Sequence, residues 1–240
     1  MLPLFYVGDL PNKINERCRV VGHIGHHISR VLRAVPGEEL LLSDGKGNWS
    51  RVSVISFDKT SVDLGVLESG FQAPRDVSIT VVQGITKGDR SRENIELLVQ
   101  AGVDRIVPWK ASRSIGKLPD GVDKLKMAVI EAGKQSRRYY LPEVDDVVDM
   151  EQLQAIIRSA DLSVVLEAHT EKKLSEVVNK NLHLASVVLI IGPEGGISEQ
   201  EIEKMVEAGA VVAKLGRTIL RSAHAGIAAV SALSVALGLW

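Results

Sequence analysis

With 240 residues, 45% of them hydrophobic, the chain has material for one large domain or two modest ones around an ordinary packed core. Its 29 Lys and Arg against 30 Asp and Glu leave a formal charge of -1, which excludes a globally basic nucleic-acid binder, so any polyanion site must be a local patch. A single cysteine, Cys18, excludes an internal disulfide and fits a reducing, cytoplasmic setting.

The opening stretch MLPLFYVGDLPNK has no basic segment ahead of an apolar core and meets Asp9 early, so it does not read as a signal peptide. His23, His26 and His27 follow, and HxxH spacing invites a metal. No Cys or carboxylate ligand apart from Cys18 is spaced nearby, so no metal is expected. Further on, Val52 and Val54, then Val62, Leu64 and Val66, alternate with polar or small neighbours at the two-residue period of a half-buried strand. Asp44-Gly45-Lys46-Gly47-Asn48 marks a turn among them. Residues 1–72 thus predict a small antiparallel β-barrel, with ESGFQAPRD (68–76) as the linker that leaves it.

From Val77 the texture changes. VSITVVQG, DRIVPW, LSVVLEA, ASVVLIIG and AVVAKLG are short apolar runs separated by helix-like stretches such as SRENIELLVQAG and DKLKMAVIEAGKQSR. Strands apolar on both sides that alternate with helices predict a parallel sheet covered on both faces, so residues 73–240 form an α/β domain. The final AHAGIAAVSALSVALGLW approaches membrane-spanning length, but Ala, Ser and Gly dominate it. It predicts a buried helix packed closely on another helix, and no membrane partner is expected.

The most informative stretch is LIIGPEGGISEQEIEKM (189–205). Its glycine loop follows a buried strand, and open parallel sheets bind ligands at the carboxyl ends of their strands. Ser198 and Glu201 form a capping box, so a helix starts directly after the loop. Neither GxxxxGK[ST] nor GxGxxG is present, and no lysine follows to meet a phosphate. Glu194 places a carboxylate at the mouth instead, which suits a neutral or cationic ligand. A plain strand-to-helix turn is an equally open reading of this segment alone.

One βα unit later KLGRTILRSAHAG (214–226) repeats the arrangement of glycine turn and small-residue helix. With HHISRVLRAVPGEELLLSDGKG (26–47), KGDR (87–90), AGVDRIVPWKASRS (101–114) and QSRR (135–138), these segments resemble, in order and over nearly the whole chain, the RsmE family of SPOUT-class RNA methyltransferases. The resemblance implies a SPOUT-type parallel sheet with a C-terminal trefoil knot, preceded by a PUA-like β-barrel. It implies S-adenosyl-L-methionine as cofactor and a homodimer with the small-residue C-terminal helix near its interface. The activity it implies is methylation of N3 of one uridine in 16S rRNA, within the 30S subunit.

Carried over residue by residue, the cofactor contacts would be Leu166, Glu167 and Ala168 after one strand, Ile191, Gly192, Pro193, Glu194 and Gly195 after the next, and Leu215, Gly216, Ile219 and Leu220 after the last. Glu194 and Arg221 are the catalytic candidates, Glu194 to face the cationic donor or orient the acceptor base, Arg221 to position the target uridine or its phosphate. Their plain alternatives are a backbone cap and a helix-start salt bridge. RNA contacts fall on Arg30, Arg33, Lys87, Arg90, Arg113, Arg137 and Arg138, with Tyr139 and Tyr140 beside the last pair as stacking candidates. Leu4, Leu97, Gln100 and His224 depart from the family pattern, and no general base is nominated. Rival readings are another knotted methyltransferase acting on a ribose 2′-hydroxyl or a tRNA base, a non-catalytic RNA-binding or ribosome-assembly protein, and, last, a nucleotide hydrolase.

Overall fold

A computed structural model of the protein describes residues 2–86, 90–115, 121–178 and 183–240. The chain divides into two units, the first comprising the chain up to Pro74 together with Gly133–Leu141, the second the rest.

The first unit is a five-stranded sheet made of β1 (Leu4–Tyr6), β2 (Arg17–Val20), β3 (Glu39–Ser43), β4 (Asn48–Phe57) and β5 (Val62–Phe71), in the order β1-β3-β4-β5-β2. The alternating valines behave as their period predicts: Val52, Val54, Val62, Leu64 and Val66 are buried with Ile28, Leu40 and Leu42. All pairings are antiparallel except β1 with β3, which is parallel. Parallel neighbours need a crossover. Here β2, helix α1 (Gly22–His26) and a π-helical turn (His27–Val31) supply it. At the β3–β4 turn the Asp44 carboxylate accepts from the Lys46 and Asn48 amides at 2.7 and 3.2 Å. Gly47 has φ +98°, and a β-carbon on it would meet the Tyr140 ring at 2.5 Å. The segment from Gly133 to Leu141 is thus fitted to this sheet, and the Tyr139 ring stacks on Trp49 at 5.6 Å.

The second unit is a six-stranded, wholly parallel sheet. Its strands are β6 (Ser78–Gly84), β7 (Arg105–Trp109), β8 (Glu143–Val144), β9 (Leu162–Leu166), β10 (Ser186–Ile191) and β11 (Val211–Ala213), in the order β11-β9-β10-β6-β7-β8. The helices are α2 (Arg90–Ala101), α3 (Asp123–Ser136), α4 (Met150–Ser159), α5 (Leu174–Val178), α6 (Glu199–Glu207) and α7 (Ser222–Ala236). Val82, Trp109, Val165 and Ile190 bury against Leu153 and Ile157 of α4 and Met205 of α6. α2 and α7 pack on one another, and α7 packs also on β10 and β6.

The approach of α7 is close because Gly226 lies where a β-carbon would come within 2.9 Å of Leu98 and 3.2 Å of Ile191. The apolar C-terminal segment is therefore a helix buried on another helix, as its small residues predict. Among the described residues, no helix is long and apolar enough to cross a membrane. The α/β parallel sheet preceded by a largely antiparallel β unit is the fold class expected from the sequence.

Candidate active site

β9, β10 and β11 run parallel within one half of the sheet, so the loops that leave their carboxyl ends come together. They enclose a cleft of about 1050 Å³ in the second unit. One wall is Leu166–Thr170, the second Ile191–Ile197, and the third is built from Lys214, Leu215, Gly216 and Thr218–Ser222.

The glycine loop has a defined shape. The Gly196 amide donates to the Pro193 carbonyl at 2.9 Å, and Gly196 has φ +74°, a conformation glycine adopts without penalty. Gly84, the last residue of β6, lies against the loop so tightly that a β-carbon would be 2.5 Å from the Pro193 nitrogen and ring. Ser222, at the start of α7, donates its hydroxyl to the Gly192 carbonyl at 2.5 Å and accepts from Gln83 Nε2 at 2.9 Å. Gln83 Nε2 also donates to the Gly84 carbonyl at 3.0 Å. The end of β6, the glycine loop and the N-terminus of α7 are thereby joined through one hydroxyl.

Behind the loop the Ser198–Glu201 capping box forms as its spacing predicts. Glu201 does more than cap. Its Oε1 accepts from the Ser112 amide at 2.7 Å, while Oε2 accepts from the Ser198 amide and the Ser112 and Ser198 hydroxyls at 2.8–2.9 Å. Burial pushes this carboxyl up, but the hydrogen bonds from Ser112 and Ser198 outweigh it and hold Glu201 below the ordinary glutamate value. Ser112 carries Arg113 with it, and Arg113 lines the cleft, with Nη1 3.5 Å from the Gly195 carbonyl.

The lining is mixed in charge and partly apolar. Glu167, Glu194 and Glu199 line it together with Arg113, Lys214 and Arg221, while Ile219 is 75% exposed and Leu220 40%. Exposed aliphatic side chains beside open main chain suit a ligand with a flat apolar body and both charges, in keeping with a nucleoside carrying an amino acid. They do not form the basic cradle a triphosphate needs.

All twelve residues expected at the cofactor line this cleft: Leu166, Glu167 and Ala168; Ile191, Gly192, Pro193, Glu194 and Gly195; Leu215, Gly216, Ile219 and Leu220. Arg221 joins them, its backbone capping α7 and its side chain exposed.

The RNA candidates are dispersed. Arg113 is in the cleft; in the first unit Arg30 is exposed on the π-helical turn and Arg33 is exposed just after it, with φ +55°. Arg137 and Arg138 are only partly exposed in that unit, where the Arg138 carbonyl accepts from the Tyr6 hydroxyl at 2.6 Å. Tyr139 stacks one face on Trp49, Tyr140 packs edge-on to Phe71 at 6.3 Å, and both are partly exposed. Lys87 and the side chain of Arg90 lie outside the described residues. His23 and His27 are 6.3 Å apart ring to ring, and no group of metal-ligating side chains occurs among the described residues. His224 is directed to α2, its Nε2 3.5 Å from Glu93. Gln83, Ser112, Glu201 as a bridge, and Lys214 were not foreseen. Only the capping-box spacing pointed toward one of them.

Residues 73–234 match the family model described as an RNA methyltransferase domain, and residues 22–67 match that of an RNA methyltransferase PUA domain, which defines the class. The chain is 34% identical to the ribosomal RNA small subunit methyltransferase E of Mycobacterium tuberculosis, over 99% of this chain and 93% of that protein. It is 29% identical to the protein of the same name from Bacillus subtilis, over 90% and 88%. The crystal structure of the Neisseria gonorrhoeae ribosomal RNA small subunit methyltransferase E bound to S-adenosyl methionine superposes with a TM-score of 0.88 at 26% identity, covering 100% of this chain and 98% of that one. The chain belongs to the ribosomal RNA small subunit methyltransferase E family.

Proposed function

We propose that this protein transfers a methyl group from S-adenosyl-L-methionine to N3 of one uridine in 16S rRNA, on the assembled 30S subunit in the cytoplasm. The observation that carries the reading is the cleft, in which the ends of three adjacent parallel strands present apolar side chains and glycine main chain together. When bound, the cofactor supplies an electrophilic methyl on a sulfonium. Leu166, Ile191, Leu215, Ile219 and Leu220 hold its adenosine body, the main chain of Gly192, Gly195 and Gly216 supplies hydrogen bonds, and Glu167, Ala168 and Pro193 complete the walls.

Neutral uridine carries a proton on N3, so transfer requires losing it, here to solvent water, and a guanidinium that stabilises the uridine anion lowers that cost. Arg221 takes this role and positions the base. Glu194 at the loop apex balances the cationic donor. Arg30, Arg33, Lys87, Arg90, Arg113, Arg137 and Arg138 contact RNA, and two copies of the chain act as a homodimer. The two family models support domain limits of 1–72 for the PUA-like part and 73–240 for a knotted methyltransferase part, the latter lending Gly133–Leu141 to the first structural unit.

The test is transfer of label from S-adenosylmethionine to small subunits lacking the modification, followed by mass mapping of the product nucleoside. Label in 3-methyluridine of 16S rRNA is expected. Label in a ribose or another base, or label only when tRNA is offered in place of subunits, would replace this acceptor with another, and binding of the cofactor without transfer to any RNA would sink the enzymatic reading.

A further inference from the structure

We infer that Glu201 is a positioning residue, whose carboxylate docks the loop after β7 on the glycine loop and so holds Arg113 at the mouth of the cleft to meet an oxygen of the RNA acceptor. The inference rests on the function proposed above.

A capping-box glutamate needs one contact, from its carboxylate to the N-cap amide. Glu201 Oε2 makes that contact with Ser198 at 2.9 Å. Oε1 is not needed for the cap, yet it accepts from the Ser112 amide at 2.7 Å, across 89 residues of sequence. The Ser112 hydroxyl adds a second bond at 2.9 Å. Hydrogen bonds to a charged acceptor are the stronger kind.

A separate observation points the same way. A β-carbon on Gly195 would lie 2.9 Å from the Arg113 carbonyl oxygen and 3.1 Å from its Cβ, so the Arg113 backbone rests directly on the glycine loop. Its guanidinium reaches the Gly195 carbonyl only at 3.5 Å. Among the described residues that long contact engages one N–H of five, and the remainder of the planar fork suits a phosphate or a base carbonyl. Residues that orient a binding group in this way are effective because a small misplacement is costly.

Exchange of the Ser112 amide reads the joint independently of any activity, and steady-state transfer to small subunits reads its consequence. Glu201→Ala should raise Ser112 exchange and lower kcat/KM for subunits by about tenfold, the loss expected for a charge-assisted hydrogen bond. Affinity for S-adenosylmethionine by calorimetry should change far less. Glu201→Gln should recover part of both, because its amide oxygen still accepts from Ser112. Ser198→Ala removes the hydroxyl that caps the Glu201 amide but leaves the Ser112 amide on Glu201 Oε1, so it should leave Ser112 exchange far nearer the wild type than Glu201→Ala does. The double variant Glu201→Ala with Arg113→Ala should be no slower than Arg113→Ala alone.

Equal effects of Ser198→Ala and Glu201→Ala would reduce Glu201 to a helix cap, and additive losses in the double variant would mean that it does not act through Arg113. Either result overturns the inference, as does unchanged Ser112 exchange in Glu201→Ala. If the wild type transfers no methyl to any RNA, the proposed function fails, and the exchange measurement still decides whether Glu201 docks the loop.

Discussion

A β-carbon on Gly84 would lie 2.5 Å from the Pro193 ring and nitrogen and 2.9 Å from the Gly192 carbonyl carbon, none of which can swing aside. Gly84→Ala should therefore destabilise the protein by about 1–3 kcal/mol, the range for overpacking a tight site, and lower cofactor affinity with it. Urea denaturation and calorimetry check the two effects. Glu201 makes a prediction about acid. Its folded-state value lies below its ordinary one, so its contribution to stability is complete above the unfolded value, near 4.3, and is lost as pH falls through the lower folded value. Between about pH 5 and pH 3 the urea midpoint of Glu201→Gln should fall less steeply than that of the wild type. A parallel fall in both would refute the assignment.

At the scale of elements, the close seating of α7 on α2 depends on Gly226. The nearest atoms are the ends of the Leu98 and Ile191 side chains, which can give by a few tenths of an ångström. Gly226→Ala should thus stay within about 1 kcal/mol of the wild type, the clash being offset by helix propensity. Gly226→Leu has no such room and should cost about 1–3 kcal/mol by thermal denaturation.

Elements of this kind were readable in the sequence because their signals are local. The runs at β6, β7, β9 and β10 are mostly apolar, and Ser198 stands three residues before Glu201. What was not readable is what distant segments do to one another. β8 is two residues long and carries no periodicity, nothing near Tyr139 announces its stacking on Trp49, and nothing near Glu201 announces Ser112. In the cleft, the resemblance indicated which loops to expect. The Ser222 hydroxyl that ties two of the elements together has no spacing signal of its own.

For the molecule as a whole, the formal charge of -1 limits how strongly free RNA is attracted at long range. Recognition must then depend on shape and a few local phosphate contacts. Transfer to assembled small subunits should outpace transfer to deproteinised 16S rRNA at equal salt, and equal rates would refute this. Affinity for subunits should fall log-linearly with salt, and Arg30→Ala and Arg113→Ala should each reduce the slope by roughly one phosphate contact, about 0.7 for single-stranded RNA.

The sheet order carries a consequence for synthesis on the ribosome. β6 is the first strand of its sheet to be made, and it lies inside the sheet between β7 and β10. Its β10 edge, from Ser78 to Gln83, has no partner until Ser186–Ile191 has emerged, more than a hundred residues later. At about 5–20 residues per second this leaves an apolar strand edge open for several seconds or longer on every nascent chain. The cleft is later still, because one wall needs the residues from Lys214 to Ser222. A chain interrupted between β10 and β11 would thus have most of its sheet paired and no capacity to hold a cofactor, so incomplete translation products would be sticky early and inert late.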